Sequence, residues 1–323
     1  AQVTSYPWHV PISSQVSMTV SGPAARDIYV DAAATSWLND GTSWQNAYTS
    51  LQDALANAGK GSQIWVAAGT YFPDVGRLLT DDNPAATFHL RPGVAVYGGF
   101  AGTENSLEER DPDTNVTILS GDIDGNDGVA CDASSGEHIK GSNSIHVVTG
   151  SGIANDALLD GFTITGGHAR HVAGSQSQHG GGMFNEQGSP TLANLVFCGN
   201  KASVSGGGIF NDAGSPILEE VTFVNNKANI TSGHGGGMAN VNGSSPLLEN
   251  VDFDRNQAYY GGGMFNTGSA VNISGAVFKA NRATWGGGIF NAAGSDGTFI
   301  DILLTANEAA GGGGMANDNS NPK

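Results

Sequence analysis

From residue 180 onward the chain carries two rhythms at once. Apolar residues alternate with polar ones over short stretches, and the stretches themselves return at a near-constant interval. The block Gly180-Gly181-Gly182-Met183-Phe184-Asn185 comes back from Gly206, Gly235, Gly261, Gly286 and Gly312, at steps of 26, 29, 26, 25 and 26 residues. Between blocks lies Phe-x-x-Asn: Phe197…Asn200, Phe223…Asn226, Phe253…Asn256 and Phe278…Asn281, with Leu304…Asn307 as a relaxed last copy. Five residues before each of these stands Leu192, Leu218, Leu248, Ile273 or Phe299, and two before stands Leu195, Val221, Val251, Ala276 or Ile302. The immediate neighbours of each Phe are chemically mixed, so the pattern predicts strands with one buried face.

A unit this short cannot bury its own apolar row; stacking coils does so, with each strand paired to its counterpart roughly 4.8 Å away. Equivalent residues then form columns. Asn200, Asn226, Asn256, Asn281 and Asn307 predict a structural turn ladder, with Asn in left-handed geometry and its amide bonded to the Asn above and below. Triple glycine predicts sharp turns where coils approach too closely for a Cβ. Helical repeats are excluded by glycine triplets and turn asparagines every dozen or so residues. The fold predicted is all-β, a single right-handed parallel β-helix.

Before the regular repeats the pattern is looser. Residues 1–27 show none and predict an extended arm. Residues 28–178 predict coils with long loops, and 179–323 the regular repeats of one continuous solenoid. Strands are expected at Ile28–Val30, Ile64–Tyr71, Phe88–Leu90, Val94–Phe100, Val116–Gly121 and Leu158–Gly167, with long insertions at Pro73–Ala86 and Ala101–Asp113. Thr42 and Gln45 fit a helix capping box, and Ala47, Leu51, Ala54, Leu55 and Ala58 form one apolar face ending at Gly59. This α-helix is expected to cap the open first coil. The sequence ends at Pro322-Lys323, after a sixth glycine block and without an evident cap, which predicts continuation or self-association at that end.

Composition sharpens this picture. Gly supplies 49 of 323 residues and charged residues only 13%, which suits turns and short strands; 39% hydrophobic residues still support a core. Thirty acids against 13 bases give a net charge of −17, which excludes nucleic acid as a partner and allows calcium, polysaccharide or plain solubility. No apolar stretch is long enough to span a bilayer as a helix. Cys131 and Cys198 have the option of pairing in an oxidising compartment, which the sequence leaves open.

The Gly-Gly-Gly-Ile/Met blocks and Phe-x-x-Asn resemble the Gly-Gly-Ala-Ile and Phe-x-x-Asn repeats of polymorphic-outer-membrane-protein type. Tyr29-Val30-Asp31, Ala68-Gly69-Thr70-Tyr71, Tyr97-Gly98-Gly99-Phe100, Leu119-Ser120-Gly121-Asp122 and Asp160-Gly161-Phe162-Thr163 also resemble that secreted subset of bacterial β-helix proteins, within the pectate-lyase-like superfamily. The resemblance implies a secreted or cell-surface location and leaves activity open, since lyases, hydrolases and adhesins share the scaffold.

Three groups are candidates for chemistry. Asp122, Asp124, Asn126 and Asp127 offer oxygens at close spacing in a Gly-rich loop, the arrangement of a hard-cation site such as calcium. If Met or Ile of each block points inward, Phe184, Phe210, Phe265 and Phe290 point outward; with Tyr260 and Trp285 they predict an aromatic stripe for stacking on sugars or on a partner subunit. The competing expectation is that Phe is itself the inward residue, or that a neighbouring loop covers it. The column three residues before each Phe, Asn194, Glu220, Asn250, Gly275 and Asp301, holds no close carboxylate pair, and bases are scarce. An extracellular structural or adhesive protein, with a subunit of a larger assembly or fibre as one form of it, is therefore expected ahead of a polysaccharide lyase, a glycoside hydrolase or a glycan-binding module.

Overall fold

The computed structural model describes residues 24–128, 131, 139–171 and 177–323; the arm expected at residues 1–27 lies almost wholly outside them. The chain is a parallel β-solenoid of about eight turns. Each regular coil contributes three strands. One ladder holds Thr191–Ala193 and Ile217–Glu219, the next Val196–Cys198 and Thr222–Val224, and the third the block strands Met183–Glu186, Ile209–Asp212, Met238–Val241, Met264–Thr267, Ile289–Ala292 and Met315–Asp318. The first two ladders fuse into eight-residue strands at Leu247–Asp254, Asn272–Lys279 and Thr298–Thr305. Strand pairing in the regular coils is parallel and in register, so Phe197 meets Phe223, Phe223 meets Phe253 and Phe253 meets Phe278.

The alternation predicted from sequence sorts the side chains. Leu192, Leu195 and Phe197 are at most 1% exposed, while Thr191 and Val196 face outward, half-buried. Inside, the Phe rings stack at 5.2, 4.7 and 4.5 Å between centroids. The bend between the first two ladders is made by Asn194, Glu220, Asn250, Gly275 and Asp301, all at φ between 50° and 69°.

Two asparagine ladders line the interior. In the first, each Nδ2 donates to the Oδ1 of the next Asn, from Asn200 to Asn226 (3.1 Å) through Asn281 to Asn307 (3.0 Å). Each also donates to a main-chain carbonyl one coil back, as Asn226 does to Phe197 at 2.8 Å. The left-handed residue of this turn is not the Asn, as sequence suggested, but the residue before it: Gly199, Asn225, Arg255, Ala280 and Ala306. Freed of that duty, the Asn side chain turns inward and saturates buried backbone. The second ladder, Asn185, Asn211, Asn240, Asn266, Asn291 and Asn317, joins successive block strands at 2.8–2.9 Å.

The glycine triplets are forced by contact. A Cβ on Gly207 would lie 2.5 Å from the Gly236 oxygen and 2.6 Å from the Lys227 nitrogen, both backbone atoms of the next coil. Gly207→Ala is expected to destabilise the chain by about 3 kcal/mol, read as a lower midpoint in urea; an unchanged midpoint would contradict the packing.

The N-terminal helix is shorter and starts later than expected. It runs Leu51–Asn57, and its cap is Ser50, whose side chain accepts from the Asp53 N–H at 3.1 Å. Thr42 instead bonds Asp40, and the segment before the helix serves another end. It lays Trp44 against Tyr29 at 4.9 Å and Phe100 at 5.5 Å, with the indole N–H donating to the Glu104 carbonyl. The helix still buries Leu51, Ala54 and Leu55 over the first coil. No helix among the described residues is long and apolar enough to cross a membrane.

Candidate functional site

The insertion at residues 101–116 leans over the first bend of the solenoid and walls a surface groove of about 310 Å³. Its rigidity comes from local bonds. The Glu104 carboxylate accepts from the Gly102 and Thr103 amides at 3.0 and 2.8 Å. Burial raises its pKa, but the backbone amides around it outweigh this and leave it below the usual range. The Thr114 hydroxyl bonds Asp111 at 2.8 Å and helps hold that carboxyl low, and Asp111 N–H donates to the Gly99 carbonyl.

Arg110 anchors the insertion to the coil. Its guanidinium meets the Asp160 carboxylate at 2.7 Å, with both side chains largely out of solvent, and also donates to the Gly98 carbonyl. Asn194 Nδ2 donates to the other Asp160 oxygen at 2.9 Å. The groove runs beside this anchor. Pro112, Asp113 and Val116 stand on one side, and Thr163, Val196 and Thr222 of three successive coils on the other, with Asn194 and Glu220 at the bend. Further along, Asp252 has a raised pKa through its burial and the neighbouring Asp254 and Glu220.

The aromatic column is oriented as alternation predicts but is not exposed. Phe184, Phe210, Phe265 and Phe290 form a cluster separate from the core, at 4–9% exposure. What covers them comes from the preceding coil. His146 packs on Phe184 at 5.0 Å, His179 on Phe210 and His234 on Phe265 at 4.5 Å, and Tyr260 on Phe290 at 4.9 Å. Of these aromatics only Trp285, whose ring lies against Gly311 of the next coil, remains 44% exposed, so no continuous stripe is offered for stacking.

The acidic loop is self-contained. Asp122 accepts the Asn126 and Asp127 amides at 3.0 and 3.1 Å, Asp124 the Asn126 side chain and the Ser142 amide, and Asp127 the Asn143 side chain at 2.7 Å. A cation there would compete with this network, and among the described residues no three His, Cys, Asp or Glu side chains converge as a metal-ligand group.

Cys131 and Cys198 form a disulfide, Cα atoms 5.2 Å apart, tying a position just after the acidic loop to the strand Val196–Cys198, 67 residues on. Their pairing fits an oxidising compartment. A loop of that size is worth about 4 kcal/mol in chain entropy. Reductant is expected to lower the melting temperature of the wild type and leave Cys131→Ser/Cys198→Ser unmoved; equal responses would argue against a stabilising bridge.

The Chlamydia polymorphic membrane protein repeat family matches residues 194–212, the stretch from the first bend through Asn200 to the second block strand. No curated protein and no solved structure matches the chain. The repeat match and the β-solenoid fit a cell-surface structural or adhesive protein.

Proposed function

We propose that this chain is a secreted or cell-surface solenoid with a structural and adhesive role, a stiff element that displays its loops and outer face within a larger assembly. One observation carries the reading. The residues that repeat from coil to coil, the inward Phe column and both Asn ladders, hold coils together, while the outward residues vary. Conserving the joints and varying the face is what a display scaffold requires.

Antibody labelling of intact source cells, with adhesion of a deletion strain measured alongside, tests this. Surface labelling and weakened adhesion are expected; a purely internal protein would sink the proposal. A carbohydrate-active enzyme is the second reading, favoured by the groove beside Arg110 and Asp160. Those two side chains neutralise each other at 2.7 Å, which leaves neither as a ready base. Depolymerisation of acidic and neutral polysaccharides, with and without calcium, separates the readings, and product formation would establish catalysis.

A further inference from the structure

We propose that the groove under the 101–116 insertion is a binding subsite for a neutral, hydroxyl-rich polysaccharide chain. This names a ligand for the adhesive reading and rests on that reading for its setting.

Four observations point to that class of ligand. First, the groove is pre-formed, because Glu104, Arg110 and Asp111 fix the overhanging wall through bonds within the protein. A site ordered in advance loses little entropy on binding. Second, the strands beneath it pair on both sides, Val196 with Thr163 and with Thr222. No main-chain edge is open there for an added peptide strand. Third, the charge is wrong for a polyanion. Asp113 and Glu220 line the groove on a chain of net charge −17, and the guanidinium beside it is already paired with Asp160. Uronates, sulfated glycans and nucleic acids are repelled.

Fourth, the lining alternates in a way that suits sugar rings. Thr163 and Thr222 offer hydroxyls on either side of the Val196 methyls, and the 45% exposed Val116 faces in from the insertion. A pyranose presents C–H groups on its faces and hydroxyls at its rim, so apolar contacts and hydrogen bonds are both used. At the bend, Asn194 and Glu220 lie on successive coils, roughly 4.8 Å apart, the scale of one sugar ring. Glu220 Oε1 already accepts from Asn250 Nδ2 at 2.8 Å, so its other oxygen and the Asn194 amide oxygen are the acceptors for hydroxyls of neighbouring residues of the glycan. Asn194 uses only its Nδ2 to hold Asp160, so its amide oxygen is not taken up by that bond.

The test uses the purified full chain, titrated by calorimetry with cellohexaose, laminarihexaose and mannohexaose, alongside oligogalacturonate and oligolysine. At least one neutral hexasaccharide is expected to bind, and oligogalacturonate is not. Val196→Trp fills the groove from a half-buried outward position and is expected to weaken that binding at least about tenfold, with its melting temperature held near wild type. Glu220→Gln, which keeps the shape but exchanges an acceptor oxygen for a donor, guards against a misfolded Trp variant and is expected to weaken binding severalfold. Failure of all three neutral sugars overturns the proposal. So does retained affinity in both variants, or preferential binding of oligolysine, which would mark the groove as a cation-seeking surface. A strain that adheres normally without the protein, while the pure chain still binds a hexasaccharide, would instead sink the adhesive reading and leave the subsite standing.

Discussion

Replacing Asn226 by leucine is expected to cost on the order of 5 kcal/mol, the largest effect of any single surface-neutral change in the regular coils. The side chain is completely buried and all four of its hydrogen-bonding positions are in use. Its Oδ1 accepts from the Asn200 main-chain N–H and from Asn200 Nδ2, both at 3.1 Å. Its Nδ2 donates to the Phe197 carbonyl at 2.8 Å and to Asn256 Oδ1 at 3.1 Å. Leucine matches the volume and removes every bond. Two donors and two acceptors are then stranded in the interior, each costing about 1–3 kcal/mol, softened only by local relaxation. Asn226→Asp should be nearly as damaging at neutral pH, because a carboxylate accepts but cannot donate and its charge is buried. Asn307→Leu is the internal control: that residue lies in the last coil, half-exposed, where water can replace the lost partners. Urea denaturation of the three variants checks the ranking. Equal midpoints for Asn226→Leu and Asn307→Leu would show that the ladder contributes nothing beyond volume.

The second large effect is expected on acidification. His146, His179 and His234 lie along the same flank, with Ser205 on the coil between the last two; each packs over a Phe of the following coil, and burial lowers the pKa of all three. His146 and His179 are lowered further by a neighbouring imidazole, while Asp212 pulls His179 partly back. The sign follows from proton binding. Above the unfolded value of about 6.5 both states are neutral and the histidines cost nothing. Below it the unfolded chain takes up protons that the folded chain resists, so stability falls until the folded values are also passed. Melting temperature is therefore expected to drop between pH 7.5 and 5, before most carboxylates titrate. In His146→Gln/His179→Gln/His234→Gln the drop should shrink markedly, with His89, also lowered by burial and by Arg91, among the residues that supply what remains. A wild type whose melting temperature is flat across that range would refute the account.

How much of this was legible depended on whether the deciding contact was local or repeated. The Phe and Leu columns were readable because each position is sampled five times, and a column averages away the accidents of one coil. The inward Asn185 column was missed although alternation from Met183 places it inside; an amide in an apolar row reads as a turn until its partner one coil away is seen. The covered aromatic column failed for the same reason, since His179 shields Phe210 from 31 positions earlier in sequence. The helix start was ambiguous on local chemistry alone. Thr42-x-x-Gln45 reads as the cap, whereas the observed cap is Ser50 on the Asp53 amide; Trp44, whose aromatic partners are Tyr29 and Phe100, holds the Thr42 segment elsewhere. Of the groove beside Arg110 the sequence showed only one wall, the long insertion at Ala101–Asp113; the facing wall is assembled from Thr163, Val196 and Thr222 of three different coils.

The matched joints between coils have a consequence for how such a chain changes length. Because Asn211 presents to Asn240 the same amide that Asn185 presents to Asn211, excising one whole unit brings together faces that already fit. Cutting at residues 207 and 236, for instance, joins one glycine block to the next with every column intact. Cutting half a unit sets Phe against Asn and leaves both unmatched. Recombination between neighbouring units in the gene is therefore filtered by the fold into steps of about 26 residues, and the reach of the molecule becomes a quantity that selection adjusts by counting.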